Sequence, residues 1–189
     1  MTTLLYTHEL CFGHDPGSHH PESPDRLRAV LEGLSRPEFA ALERREAPRA
    51  ALDDLALAHT RSYIEAVLAA VPAQGHVALD ADTVLSPGSG EAALRAAGAI
   101  TAAVDAVMAG EGDNAFCAVR PPGHHAESSR AMGFCLFNGV AIGAQRARQA
   151  HGAERVAVID FDVHHGNGTQ AMFEDDPRLF YASTHQSPL

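Results

Sequence analysis

Asp160, Asp162, His164 and His165 stand at the end of an apolar run, Val156-Ala-Val-Ile-Asp-Phe-Asp-Val-His-His-Gly-Asn-Gly-Thr-Gln. Carboxylates and imidazoles do not gather in such a place for packing. Side chains two apart on an extended segment point to one side, so Asp160, Asp162 and His164 are expected to share a face as the strand leaves its sheet. Each step of two separates Cα atoms by about 6.5 to 7 Å, from a rise of about 3.3 Å per residue. Asp162 and His164 can therefore reach one ion between them, and carboxylate oxygen with imidazole nitrogen is a donor set that zinc accepts. Asp160, one step further back, is better placed to accept a hydrogen bond than to bind the ion.

A second cluster follows Ala115-Phe-Cys-Ala-Val119, which empties into Arg120-Pro-Pro-Gly-His-His-Ala-Glu127. Adjacent residues usually cannot ligate one metal together. His124 and His125 can instead present two imidazoles to a water and a carbonyl, one as general base and acid, the other as electrostatic support. One such pair alone reads as polar loop histidines bonded to backbone. Two pairs, each following a β-strand pattern and one preceded by Asp-x-Asp-x, read as a single site, because ligands of open α/β sheets bind just beyond the carboxyl ends of the strands.

The chain that must position these groups has 189 residues, 46% of them apolar. That suffices for one domain with a real core, and 1–189 is read as a single domain. A formal charge of −10 argues against direct binding to nucleic acid or to an anionic membrane. Cys11, Cys117 and Cys135 are odd in number and lack a Cys-x-x-Cys spacing, so neither a disulfide framework nor a thiolate zinc site is expected. The expected location is a reducing cytoplasm. No basic region precedes the short apolar run near the start, and no segment approaches about 18 uninterrupted apolar residues; neither a signal peptide nor a membrane span is expected.

Strand and helix signals alternate. Thr3 to Tyr6 reads as a first strand, and His8 to Glu22 as a loop whose His8, His14, His19 and His20 are expected to be solvated rather than ligating. Ser23-Pro24-Asp25 opens a helix with Ser as cap and Pro at the first position, and Leu27, Val30, Leu31 and Leu34 are its expected buried face. An extended piece near Glu43, two turns around Leu52 to Leu57 and a helix capped by Thr60 follow. Pro72 to Gly90 reads as a long loop with Asp80 and Asp82 as turn formers, its length suggesting a functional rim. An Ala-rich helix from Ser89 to about Ala109 turns Leu94, Ile100, Val104, Val107 and Met108 to the core. Then come the buried strand Ala115 to Val119, a helix from about Asn138 stopped by Gly152, the buried Val156 strand, a turn of helix around Gln170 to Glu174, and a strand from Leu179 to Ser183. This alternation implies a three-layer α/β/α fold with a mainly parallel sheet, in which the two His-His segments end neighbouring strands.

Arg120-Pro-Pro-Gly-His-His-Ala-Glu, Gly133-Phe-Cys-Leu-Phe-Asn and Asp160-Phe-Asp-Val-His-His-Gly-Asn-Gly-Thr-Gln resemble the signature segments of the zinc-dependent histone deacetylase family, in particular its class II-like bacterial members. His19-His-Pro-Glu-Ser-Pro-Asp-Arg-Leu-Arg resembles that family's N-terminal segment, and the likeness runs from Leu4 to Pro188. The family includes acetylpolyamine amidohydrolases and acetoin-utilisation-type deacetylases and shares its fold with arginases. Carried over, the resemblance makes Asp162 and His164 zinc ligands, His125 the general base and acid, and His124 its electrostatic partner. Asp160 would hydrogen-bond His124, and Asn167, where other members have Asp, would orient His125. Gly133 would offer its carbonyl to the substrate amide, Phe134 would wall the acyl-lysine tunnel, and Arg26 would line an acetate-exit channel. A potassium ion is implied beside the zinc, on Asp160 and Ser183 with backbone oxygens of Asp162, His164 and Thr184. The implied reaction is hydrolysis of an N-acetyl amide, on an acetyl-lysine peptide or protein or an acetylpolyamine, to acetate and a free amine.

The family also uses a third zinc ligand, an Asp, and an oxyanion-stabilising Tyr, both expected beyond Leu189. The chain is therefore read as the N-terminal part of such a domain, with about four of its eight strands and an exposed sheet edge. On its own it is expected to bind zinc weakly and to catalyse poorly. A non-catalytic acyl-lysine binding module is the alternative from another class. A dimetal ureohydrolase of arginase type would need an Asp where Gly166 stands.

Overall fold

The computed structural model describes residues 1–187; Pro188, where the likeness was expected to end, and Leu189 lie outside the described residues. In chain order the elements are β1 (Thr3–Thr7), α1 (Pro24–Gly33), β2 (Glu43–Glu46), α2 (Leu52–Leu55), α3 (Arg61–Ala69), β3 (Val77–Ala78), β4 (Val84–Leu85), α4 (Ser89–Met108), β5 (Asn114–Cys117), α5 (Gly139–His151), β6 (Val156–Asp160), α6 (Asn167–Phe173) and β7 (Leu179–Ser183).

Three strands pair in parallel in the order β2-β1-β5, with Leu4 opposite Glu43 and Ala115. The alternation of β1 sends its side chains to two faces. Leu4 and Tyr6 pack with Ala99, Ala103 and Ala106 of α4, whereas Leu5 packs with Cys11, Leu27 of α1 and Ala118. The sheet thus lies between α4 and α1, which is the three-layer arrangement. The small side chains of α4 let it come close; a Cβ at Gly98 would overlap the backbone of Pro48. Each large apolar side chain buried this way contributes about 1.5–3 kcal/mol.

β6 and β7 form a second parallel block, with Val156 opposite Leu179 and Asp160 opposite Ser183. One face, Val156, Val158, Leu179 and Tyr181, packs on Ala141 and Ala144 of α5 and Phe173 of α6. α4 and α5 link the blocks, since Ile100 fills the space that Gly139 and Gly143 leave open. Asn138 caps α5 by accepting from Ala141 N–H at 3.1 Å, and Gly152, with φ 70°, ends it in the left-handed conformation that glycine adopts readily.

Several expectations are corrected. β5 and β6 are not neighbours: among the described residues no strand bonds one to the other, and five parallel strands, not about four, fall into two blocks. Nor are β5 and β6 buried on both faces: Phe116 is 48% exposed, beside a hollow that Leu27 and Val30 of α1 line without filling, and Ile159 is 62% exposed, on the face of β6 turned away from α5 and α6, as is Phe180 of β7 at 59%. Val30 and Met108, expected in the core, are exposed. Ser23 begins α1 without a side-chain cap bond, while Thr60 caps α3 through Tyr63 N–H as expected. The long loop contains the antiparallel ribbon β3–β4, closed by Asp80 Oδ1, which accepts from the N–H groups of Asp82 and Thr83. No described helix is long and apolar enough to cross a membrane, and the three cysteines are free.

Candidate active site

The loop after β5, which contains a cis Arg120–Pro121 bond, and the bend after β6 bring their imidazoles together. His124 Nδ1 lies 2.9 Å from Asp160 Oδ2, and His125 Nδ1 lies 2.8 Å from Asn167 Oδ1. Neither partner oxygen can donate, so each bond assigns a proton to Nδ1, and on His125 it leaves Nε2 to accept. The two rings stand 4.1 Å apart by centroids. Burial lowers the His125 pKa, with its bond to Asn167 opposing and the neighbouring His124 and His164 adding to the drop; the ring stays neutral and ready to take a proton. Burial alone would raise the Asp160 pKa, but the bond from His124, the Asp162 N–H and the Tyr181 hydroxyl outweigh it and hold the carboxyl below its usual range.

Asp162 and His164 are brought together by a different route from the one expected. β6 ends at Asp160, and the chain then bends: Asp162 N–H donates to Asp160 Oδ1 at 3.1 Å, and His164 N–H to Asp162 Oδ1 at 2.9 Å. These side-chain-closed turns replace the extended geometry, since an Asp carboxylate readily captures the N–H two residues on. His164 Nδ1 still lies 3.1 Å from Asp162 Oδ1, and both side chains are about half exposed. Carboxylate oxygen and imidazole nitrogen side by side fit two of the three protein ligands of a catalytic zinc. No group of three or more donors able to hold a metal exists among the described residues. Asp160 and Ser183 face each other across the β6–β7 register, and Thr184 N–H donates to Asp160 O at 3.0 Å; Ser183 Oγ lies 2.8 Å from His185 Nδ1.

A hollow beside the imidazoles is lined by Arg26, His125, Gly133, Phe134, Asp162 and His164. Gly133 has φ 57°, and a Cβ there would strike the His125 ring. Phe134 follows with φ 69°, a conformation that costs a non-glycine residue roughly 1–3 kcal/mol and persists only where its surroundings impose it. Arg26 is exposed and reaches Glu22 Oε1 at 3.7 Å.

Other contributing residues escaped sequence reasoning. Tyr181 donates to Asp160 Oδ2 at 3.0 Å and accepts from Gly166 N–H at 2.9 Å; only the period-two spacing from Ser183 placed it on that face, and without the strand register nothing linked it to Asp160. Asn138 Nδ2 reaches Ala126 O and Thr169 Oγ1, tying the His125 loop to α6. His8 and His14, expected in solvent, are buried. His14 Nδ1 lies 2.7 Å from Ser89 Oγ, and Nε2 faces Glu22. Glu22, fully buried, grips Arg120 through both carboxylate oxygens. Burial would raise its pKa, but His14 and Arg120 prevail and hold it at about 2.

Gly166 is packed so that a Cβ would meet Asp160 Oδ2 at 2.5 Å and Tyr181 Oη at 2.6 Å. The bridging Asp of a dimetal ureohydrolase has no room there.

A parallel-stranded α/β fold, with two imidazole dyads and an Asp-His pair at its strand ends, defines a deacetylase-type domain. The model of the histone deacetylase domain matches residues 20–189, and the chain belongs to the histone deacetylase family. It is 41% identical to a histone deacetylase-like amidohydrolase of Pseudomonas aeruginosa, over 97% of this chain and 53% of that protein. It is also 41% identical to the human polyamine deacetylase HDAC10, over 87% of this chain and 26% of that one. The crystal structure of the HDA15 HD domain superposes with a TM-score of 0.92 at 36% identity, over 97% of this chain and 54% of the other. The chain thus spans about half the length or less of these relatives.

Proposed function

We propose that the chain carries the acid–base apparatus and two zinc ligands of a deacetylase that hydrolyses N-acetyl amides, acetyl-lysine of peptides or proteins first among them. The observation that carries this reading is the pair of Nδ1-anchored imidazoles, His124–Asp160 and His125–Asn167, beside the Asp162–His164 donor pair. Lewis-acid polarisation of the amide carbonyl and the attacking water is the chemistry that a zinc ion held by Asp162, His164 and a further ligand supplies. His125, neutral and oriented by Asn167, removes a proton from the water through Nε2. The imidazolium so formed then protonates the departing amine. His124, beside Asp160, favours the negative charge that builds on the carbonyl oxygen. Gly133 O and Phe134 align the acyl-lysyl chain, and Arg26 faces the leaving acetate. A potassium ion on Asp160 and Ser183 belongs to the same proposal.

Two assays test it in the protein at its full length. Asp162→Ala should abolish zinc retention, whereas His125→Ala should keep zinc and lose more activity than the roughly 10² to 10⁴ expected for acid–base catalysis. Equal zinc loss in both variants would refute the division of roles. Kinetics on acetylspermidine beside an acetyl-lysine peptide then select the substrate, and a strong polyamine preference would move the assignment to acetylpolyamine. The alternative from another class, an acyl-lysine binding module, predicts binding without turnover in the full-length protein.

A further inference from the structure

The turn between β3 and β4 takes no part in the chemistry above, yet it is built as tightly as the catalytic loop. Asp80 closes it through two backbone bonds of 3.1 and 2.8 Å, and Leu79 N–H donates to Thr83 O at 2.8 Å. Thr83 is 1% exposed. Its hydroxyl donates to Asp82 Oδ1 at 3.2 Å and accepts the backbone N–H of Phe134, 51 residues away, also at 3.2 Å. From the other side His20 sets its ring edge-on to Phe134, centroids 4.8 Å apart, and bonds Asp82 O through Nε2 at 2.9 Å. Phe134 is the only non-glycine residue at positive φ among those described, so it needs partners that hold it there.

We propose that Thr83, aided by His20, is a positioning residue that fixes Phe134 and so sets the pocket's affinity for an acyl-lysyl chain. The inference rests on the deacetylase-type reading of the site. Phe134 adjoins Gly133, which lies against the His125 ring, and both line the hollow. Without the Thr83 hydroxyl, the Phe134 N–H loses its acceptor and the left-handed backbone loses a restraint. The ring then leans away from the slot, and contact with the aliphatic chain weakens. The His125–Asn167 and His124–Asp160 bonds involve neither Thr83 nor His20, so the effect falls on binding and not on the chemical step.

Thr83→Val keeps the shape and deletes the hydroxyl; Thr83→Ser keeps the hydroxyl. In the zinc-loaded full-length protein, KM is measured with an acetyl-lysine peptide, and Kd for the same peptide is measured by calorimetry in a His125→Ala background. Thr83→Val should raise KM and Kd about tenfold with kcat within about twofold, the pattern of lost uniform binding. Thr83→Ser should match the parent, and His20→Ala should move in the direction of Thr83→Val. Parental KM and Kd in Thr83→Val would overturn the proposal, as would a Thr83→Ser as impaired as Thr83→Val. Should Thr83→Val not fold by circular dichroism, His20→Ala decides in the same two measurements. A parent protein that binds without turnover defeats the enzymatic reading and leaves Kd to judge Thr83; one that neither binds nor turns over defeats both.

Discussion

Tyr181 shows how a single hydroxyl can orient a His–Asp pair, His124–Asp160, that it does not belong to. It accepts from Gly166 N–H and donates to Asp160 Oδ2, and burial together with that carboxylate raises its pKa, so it remains a donor at neutral pH. Asp160 Oδ2 then has a fixed direction towards His124 Nδ1. Deleting the donor in Tyr181→Phe should lower kcat by roughly 10-fold, the low end of what partners behind an active group contribute. KM and zinc content should be unchanged. Steady-state kinetics with metal analysis check this, and a parental kcat would show that Asp160 needs no second donor. The Asp and His side chains that the structure brings together were singled out in the sequence, because carboxylates and imidazoles beyond an apolar run have few structural uses; Asn167 was named only through the family resemblance. Their supports were not singled out, since Tyr181, Thr83 and Glu22 act on partners 21, 51 and 98 residues away.

At the scale of elements, helix signals carried over well because they are local: Thr60, Asn138 and Gly152 stand at helix ends in both readings. Burial of polar groups did not, because it depends on what packs above them. His59, in the link between α2 and α3, is 4% exposed, and its Nε2 accepts from Asn138 N–H at 2.8 Å at the start of α5. Burial pushes its pKa from 6.5 down to about 4. The unfolded chain therefore binds this proton more readily than the folded one. Stability from this group is complete above pH 6.5 and is lost as pH falls through 6.5 towards 4. Between pH 7 and pH 5 the loss is about 2 kcal/mol, at about 1.36 kcal/mol per unit. The Glu22 contribution, present above its ordinary 4.5, fades only as pH falls towards about 2, so the two windows separate. Urea unfolding at pH 7 and 5 should show the loss in the parent and a flatter response in His59→Gln, which retains an acceptor for Asn138. Equal slopes in both proteins would show that His59 does not carry the acid sensitivity.

Across the whole molecule, periodicity predicts that strands are apolar but not which strand lies beside which. That is why two blocks replace the continuous sheet that strand–helix alternation suggested. β5 pairs only with β1 and β6 only with β7 among the described strands, and each leaves a backbone edge open. Around these edges Phe161 is 88% exposed, Ile159 62%, Phe180 59% and Phe116 48%. Open parallel edges flanked by apolar side chains are templates for further strands or other chains. The 189-residue chain, prepared alone, should therefore self-associate at micromolar concentration. Sedimentation velocity should resolve species larger than the monomer, and the net charge of −10 should make the association stronger as salt screens repulsion. Ile159→Thr with Phe180→Thr keeps β-propensity while making the open face polar, and should shift the distribution towards monomer without changing the circular dichroism spectrum. A parent chain that sediments as a monomer at both salt concentrations would show that these edges are already satisfied within the chain.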